Sequence, residues 1–118
     1  MKFVIDMKLP SLNDYILACR KNRYEGAKMK RNTEAEISWY IVKMPRFKKP
    51  IRIHFHWIEA SRRRDLDNIA FAKKFILDAM VKSGKLPDDS KKYVVEFSDT
   101  FSYSNRNQVI LYIDEVEK

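Results

Sequence analysis

Glycine is almost missing from this chain, with only Gly26 and Gly84 among its 118 residues. With so little glycine and no low-complexity stretch, a flexible linker, a collagen-like repeat or an extended disordered chain is excluded. Cys19 is the single cysteine, so no internal disulfide can form and any metal site must draw on other ligands. No apolar run approaches the roughly 18 residues of a membrane span. The N-terminal Met1-Lys2-Phe3-Val4-Ile5-Asp6 carries an acid inside its short apolar run and lacks a signal-peptide pattern. Also missing are the G-x-x-x-x-G-K and G-x-G-x-x-G loops and zinc-finger spacings, which removes nucleotide-triphosphate hydrolases and the common finger modules. The expectation is a soluble cytoplasmic protein with one domain over 1–118.

The chain is rich in positive charge. Twenty-four Lys and Arg against 16 Asp and Glu give a net charge of +8, which suggests a polyanionic partner, most commonly nucleic acid. The cations are clustered. Arg20, Lys21, Arg23, Lys28, Lys30 and Arg31 form one group, Lys43, Arg46, Lys48, Lys49 and Arg52 a second, and Arg62-Arg63-Arg64 a third. Asp114, Glu115 and Glu117 make the C-terminal end acidic. Such segregation suits a phosphate-binding face with a separate solvated edge, although a generally charged surface would share the composition.

Hydrophobic spacing gives the organisation. Phe3, Ile5, Met7 and Leu9 alternate over 2–9 as in a strand, which Pro10 ends. Ser11-Leu12-Asn13-Asp14 supplies capping residues for a short helix through Cys19. A second helix is predicted over 27–43, with Ile37, Tyr40, Ile41 and Met44 at helical spacing and Gly26 as the break between the two. Ile51, Ile53, Phe55 and Trp57 alternate strictly, predicting a strand over 51–58 with one buried face. A helix is expected from about 69 to 83, capped by Asp67 or Asn68 and closed by Gly84. Strands near 92–101 and 107–114 read as a hairpin turning at Ser104-Asn105-Arg106-Asn107. The predicted class is α/β (α+β), a single small domain with a mixed sheet of about four strands packed by two to three helices.

The segment Arg62-Arg63-Arg64-Asp65-Leu66-Asp67-Asn68 is the strongest local signal. Carboxylates at i and i+2 on extended backbone point to the same side and can share a hard cation. Arginines before them would keep both acids ionised and could hold flanking phosphates. An Asp at a helix start can equally be only a cap. Asp88-Asp89 offers a third ligand if the chain doubles back along the preceding helix, while Leu86-Pro87-Asp88-Asp89-Ser90 also has the composition of a plain turn. Lys74 follows Asp67 by seven residues, close to the same helix face since two turns take about 7.2 residues. It also forms an ordinary i,i+4 pair with Asp78, and Lys73 competes for either role. His54 and His56 point the same way from their strand. A polar strand face accounts for them, and a site of three carboxylates favours Mg²⁺ over zinc.

These residues resemble the RusA-like Holliday-junction resolvases of bacteria and their phages. The resemblance rests on Leu9-Pro10-Ser11-Leu12-Asn13, Arg63-Arg64-Asp65-Leu66-Asp67-Asn68, Lys74-Phe75-Ile76-Leu77-Asp78-Ala79-Met80 and Gly84-Lys85-Leu86-Pro87-Asp88-Asp89. With the two closing strands these cover nearly the whole chain in order. The resemblance implies a homodimeric, Mg²⁺-dependent nuclease (Mn²⁺ as a possible substitute) that makes paired nicks in branched DNA, a four-way junction. It places metal-binding aspartates at Asp65, Asp67 and Asp89 rather than Asp88, and a catalytic lysine at Lys74. The stretch between Asp67 and Leu77-Asp78-Ala79 is about one helical turn longer than the best-known pattern, so Lys74 is placed by counting back from Asp78. Arg62, Arg63, Arg64, Arg23, Lys28 and Lys30 are the candidate DNA contacts. The implied setting is DNA recombination and repair in a bacterial, phage or prophage context. The alternative is a non-catalytic, structure-selective DNA-binding protein of the same fold. The carboxylates separate the two, since a pure binder gains nothing from three acids aimed at phosphates.

Overall fold

The computed structural model describes residues 1–117. Strand β1 (Lys2–Ile5) is followed by helices α1 (Leu12–Lys21) and α2 (Arg23–Tyr40) and strand β2 (Ile51–Glu59). Helices α3 (Leu66–Ala70) and α4 (Lys73–Lys82) and strands β3 (Val94–Tyr103) and β4 (Gln108–Glu115) complete the chain. The four strands form one mixed sheet in the order β1-β4-β2-β3. The alternating side chains of β2, Ile51, Ile53, Phe55 and Trp57, are buried against Ile69, Phe75, Ile76 and Met80 from the helices. Alternation in the strand and 3.6-residue spacing in the helices therefore meet in one core.

The break between the first two helices lies at Asn22, not at Gly26 as the sequence predicts. Asn22 is extended (φ −172°, ψ 167°), and its side-chain oxygen accepts a hydrogen bond from the Glu25 backbone N–H, which caps α2. Gly26 sits buried inside α2, where its missing side chain lets α1 approach. A Cβ there would meet Cys19 Sγ at 2.5 Å and Cys19 Cα at 3.3 Å. Gly84 fills its predicted place after α4 with φ +75°, and Lys85 N–H bonds the Met80 carbonyl.

The last two strands are not a hairpin. β3 pairs parallel to β2 on one side and β4 pairs antiparallel to it on the other. Residues 104–107 step over the end of β2. Ser104 N–H bonds the Glu59 carbonyl at 3.0 Å, and Asn107 Oδ1 accepts from Ala60 N–H at 3.0 Å. Four extended residues reach about 13 Å, and crossing one strand needs two spacings of about 4.8 Å each. The loop is just long enough, so β2, the strand with the strictest apolar alternation, takes the centre of the sheet.

The far end of β2 is also tied inward. Arg64 Nη2 donates to the Leu9 carbonyl at 2.9 Å, and Nη1 lies 3.3 Å from a carboxylate oxygen of the buried Glu59. Burial pushes the Glu59 carboxyl above the usual carboxylate range, against the opposing pull of Arg64 and Lys8.

Two predictions follow from this packing. Gly26→Ala should destabilise the protein by about 1–2 kcal/mol, because overpacking against Cys19 outweighs the better helix propensity. Adding Cys19→Ala should restore most of the loss, and a urea midpoint for Gly26→Ala equal to wild type would refute the close-approach account. Arg64→Met should cost about 3 kcal/mol at about pH 7 by leaving a buried carboxylate unpaired. Because the folded-state pKa of Glu59 is raised, that loss shrinks as pH falls through it and the group protonates. Denaturant melts at about pH 7 and about pH 5 test this. An equal loss at both would mean that the Glu59 charge is not the cause.

Candidate active site

Asp65 and Asp67 follow the carboxyl end of β2, on the side of the sheet where parallel strands β2 and β3 both end. Open α/β sheets characteristically bind ligands at such an edge. Asp65 occupies the N-cap of α3 in an extended conformation, but its side chain makes no capping hydrogen bond. Among the described residues Asp67 accepts only from the N–H of its neighbour Asn68, at 2.9 Å. Both residues are exposed, and among the described residues neither has an ion-pair partner.

The arginine run leaves these acids alone. The Arg62 guanidinium lies 4.1 Å from the centre of the Tyr103 ring, a cation–π contact. Arg63 is exposed. Arg64 turns inward to Glu59 and Leu9, so its charge serves the fold instead of flanking phosphates as the sequence suggests. An open groove of about 420 Å³ beside the run is lined by Lys8, Ser11, Asp14, Glu59, Arg63 and Arg64, among others.

The two lysines of α4 part company. Lys73 Nζ reaches Asp99 on β3 at 2.7 Å and lies 4.1 Å over the Phe97 ring. Asp99 also accepts from Trp57 Nε1 at 2.8 Å, so Lys73 is committed to the sheet. Lys74 Nζ contacts Asp89 Oδ2 at 2.9 Å and Asp78 Oδ1 at 3.3 Å. Its ammonium is held above the ordinary lysine range, chiefly by the Asp89 hydrogen bond and then by Asp78. The chain does double back along α4: the loop before β3 brings Asp89 to Lys74, and β3 then runs back beside β2. Asp88 closes the turn there, accepting from Ser90 N–H at 2.7 Å, and hydrogen bonding to Ser90 holds its carboxyl below the usual range. Asp89 is the member of the pair that faces α4.

The structure thus brings Asp89 to Lys74 and leaves Asp65 and Asp67 apart from them. The helix expected from about 69 to 83 is split in two, with α3 as a separate short segment that begins at Leu66. It joins α4 through i→i−3 hydrogen bonds from Ala72, Lys74 and Phe75. Among the described residues no three His, Cys, Asp or Glu side chains lie close enough to hold a metal ion. The donor chemistry still suits a hard cation. Asp65 makes no capping bond, Asp67 accepts a single backbone N–H, and among the described residues Asp89 alone of the three pairs with a cation, Lys74.

Of the α2 cations, Arg23 and Lys28 are exposed, whereas Lys30 is drawn to Asp78 at 3.0 Å. Lys30 is therefore not a free phosphate contact. The one signal for this is an acid, Glu34, set near Ile37 on the buried side of α2. His54 and His56 each bridge two hydroxyls of β3, from Ser98 to Thr100 and from Thr100 to Ser102, at 2.6–2.9 Å. The polar strand face satisfies both rings. Among the described residues no helix is long and apolar enough to cross a membrane.

Among curated proteins, none matches the chain. The family described as Endodeoxyribonuclease RusA matches residues 2–114, from β1 almost to the end of β4. With exposed carboxylates at the strand ends, a basic surface and this match over nearly its whole length, the chain belongs to the RusA endodeoxyribonucleases, metal-dependent enzymes that resolve Holliday junctions.

Proposed function

We propose that the chain cuts four-way DNA junctions as a homodimer, with Mg²⁺ held by Asp65 and Asp67 and by Asp89 once it moves from Lys74 toward them, and with Lys74 as the catalytic cation. The observation that carries this reading is the pair of exposed, unneutralised carboxylates directly after three arginines, none of which pairs with them. Beside a basic, DNA-binding surface such a pair repels phosphates unless a cation lies between them. Oxygen-only donors favour Mg²⁺, with Mn²⁺ as a substitute.

When bound, a hard divalent cation lowers the pKa of a coordinated water and offsets charge developing on the phosphate. The chain's own groups do the rest. Lys74, with a half-exposed side chain, stabilises charge on the phosphate or on the leaving oxygen. Arg63, Arg23 and Lys28 hold flanking phosphates, with Arg62 oriented by Tyr103. These contacts give affinity and position without reading bases. A two-fold dimer matches a near-symmetric junction, so paired nicks follow from symmetry. The uncovered face of the sheet supports the dimer reading. Val4 and Tyr112 are exposed there, beside half-buried Ile58 and Ile110.

Cleavage of a synthetic four-way junction in Mg²⁺ tests the reading. Wild type should make paired nicks and spare linear duplex of the same sequence. Asp67→Asn should lose at least about a hundredfold in rate while still binding the junction. Tight binding without cleavage in either Mg²⁺ or Mn²⁺ would sink the proposal. For the dimer, light scattering should give twice the 14.1 kDa chain mass, falling to one chain mass in Tyr112→Glu. A monomeric wild type would rule the dimer out.

A further inference from the structure

Lys74 belongs to a longer chain of charges than its contact with Asp89 suggests. Behind it stands Asp78, whose side chain is only 17% exposed, and behind Asp78 stands Lys30 of α2 at 3.0 Å. Lys30 lies 3.8 Å from Glu34, and Glu34, just 3% exposed, is closed off by a hydrogen bond from Lys82. The series Lys82, Glu34, Lys30, Asp78, Lys74, Asp89 alternates in sign through six side chains on α2, α4 and the loop before β3.

An isolated, solvent-exposed i,i+4 pair such as Lys74 and Asp78 holds a side chain only weakly. Here the carboxylate is mostly buried, and its second oxygen is gripped from a different helix. Its direction is therefore set by the α2–α4 interface rather than by α4 alone. Lys74 is a flexible point charge on a four-carbon stem. A cation taken up at Asp89 competes with the ammonium for that carboxylate and repels it, and without a second anchor the lysine would be lost to solvent.

We propose that Asp78 is a positioning residue for Lys74. Braced by Lys30, it keeps the ammonium at the site when Asp89 is taken by a cation. This inference rests on the reading of Lys74 as the catalytic lysine given above. It also gives Lys30 a task inside the protein in place of a grip on DNA. Hydrogen bonding to Asp78 raises the Lys30 ammonium above its ordinary range, consistent with a pair that stays charged.

The test combines single-turnover cleavage of a four-way junction in Mg²⁺ with junction affinity measured in Ca²⁺. The variants are Asp78→Asn, Asp78→Glu, Lys30→Met and Lys74→Met. Misplacing a catalytic group costs rate, so Asp78→Asn should cut about thirtyfold more slowly. Its affinity should stay within about twofold of wild type, the split expected when only transition-state contacts are lost. Asp78→Glu should recover part of the rate. Lys30→Met should slow cutting less than Asp78→Asn does and leave affinity intact, and the double variant should be no slower than Asp78→Asn alone. If Asp78→Asn fails to fold, Asp78→Glu and Lys30→Met carry the test.

Wild-type cutting by Asp78→Asn overturns the proposal. So does a Lys30→Met variant that binds weakly but cuts at the wild-type rate, since that places Lys30 on phosphate. A slow Lys74→Met with a normal Asp78→Asn removes the positioning role alone. Full activity in Lys74→Met removes the catalytic reading of Lys74 along with it.

Discussion

The pairing of β2 on both of its edges governs the rest of the molecule. With β3 parallel on one side and β4 antiparallel on the other, this nine-residue strand is the only one in the sheet whose neighbours run in opposite senses. Its parallel partner requires a crossover, which α3 and α4 supply. That crossover starts at the carboxyl end of β2 and so carries Asp65 and Asp67 to the sheet edge where β3 also ends. Its antiparallel partner requires residues 104–107 to cross that same end. The Asp65–Asp67 segment and the crossing loop share one rim because a single strand ends there.

Charge is handled differently on the two sides of that rim. Toward the core, acids and bases are matched closely, Arg64 with Glu59, Lys73 with Asp99, Lys82 with Glu34. Desolvation demands this, since a buried charge without a partner is costly. Toward solvent, Asp65 and Asp67 are left without partners, although Arg62 and Arg63 are among the nearest residues in sequence. Unmatched acids cost little in water, so their isolation is compatible with stability and available for function.

Much of this was legible in the sequence. Strict alternation in Ile51-x-Ile53-x-Phe55-x-Trp57 identified the central strand, because a period of two has no helical counterpart. Asp65-Leu66-Asp67 stood out because two carboxylates so close together need a reason. The sheet order was not legible. A four-residue polar loop between strands has the composition of a hairpin turn, and only the competition for the edges of β2 decides that it bridges a strand. Gly26 misled for a similar reason. A glycine between two helical patterns reads as a break, whereas Asn22 serves as the break and glycine serves as the point of contact. The ion pairs of Lys30 and Arg64 were hidden as well. Sequence shows that a cation exists but not which way it turns, and both residues turn inward across interfaces between distant segments.

The pairing of β1 with β4 has a consequence in time. Met1 exchanges backbone hydrogen bonds with Ile113, so two residues 112 positions apart in the chain close the sheet. On the ribosome, the N-terminal strand and both early helices emerge with no β4 to lie against. At about 5–20 residues per second, several seconds pass before that edge can form. Until residues 104–115 emerge, the central strand lacks one neighbour and the rim lacks its crossing loop. The four-stranded sheet is thus complete only when β4 has emerged, and a nascent fragment that stops short of it lacks the rim that β2, β3 and the crossing loop build together.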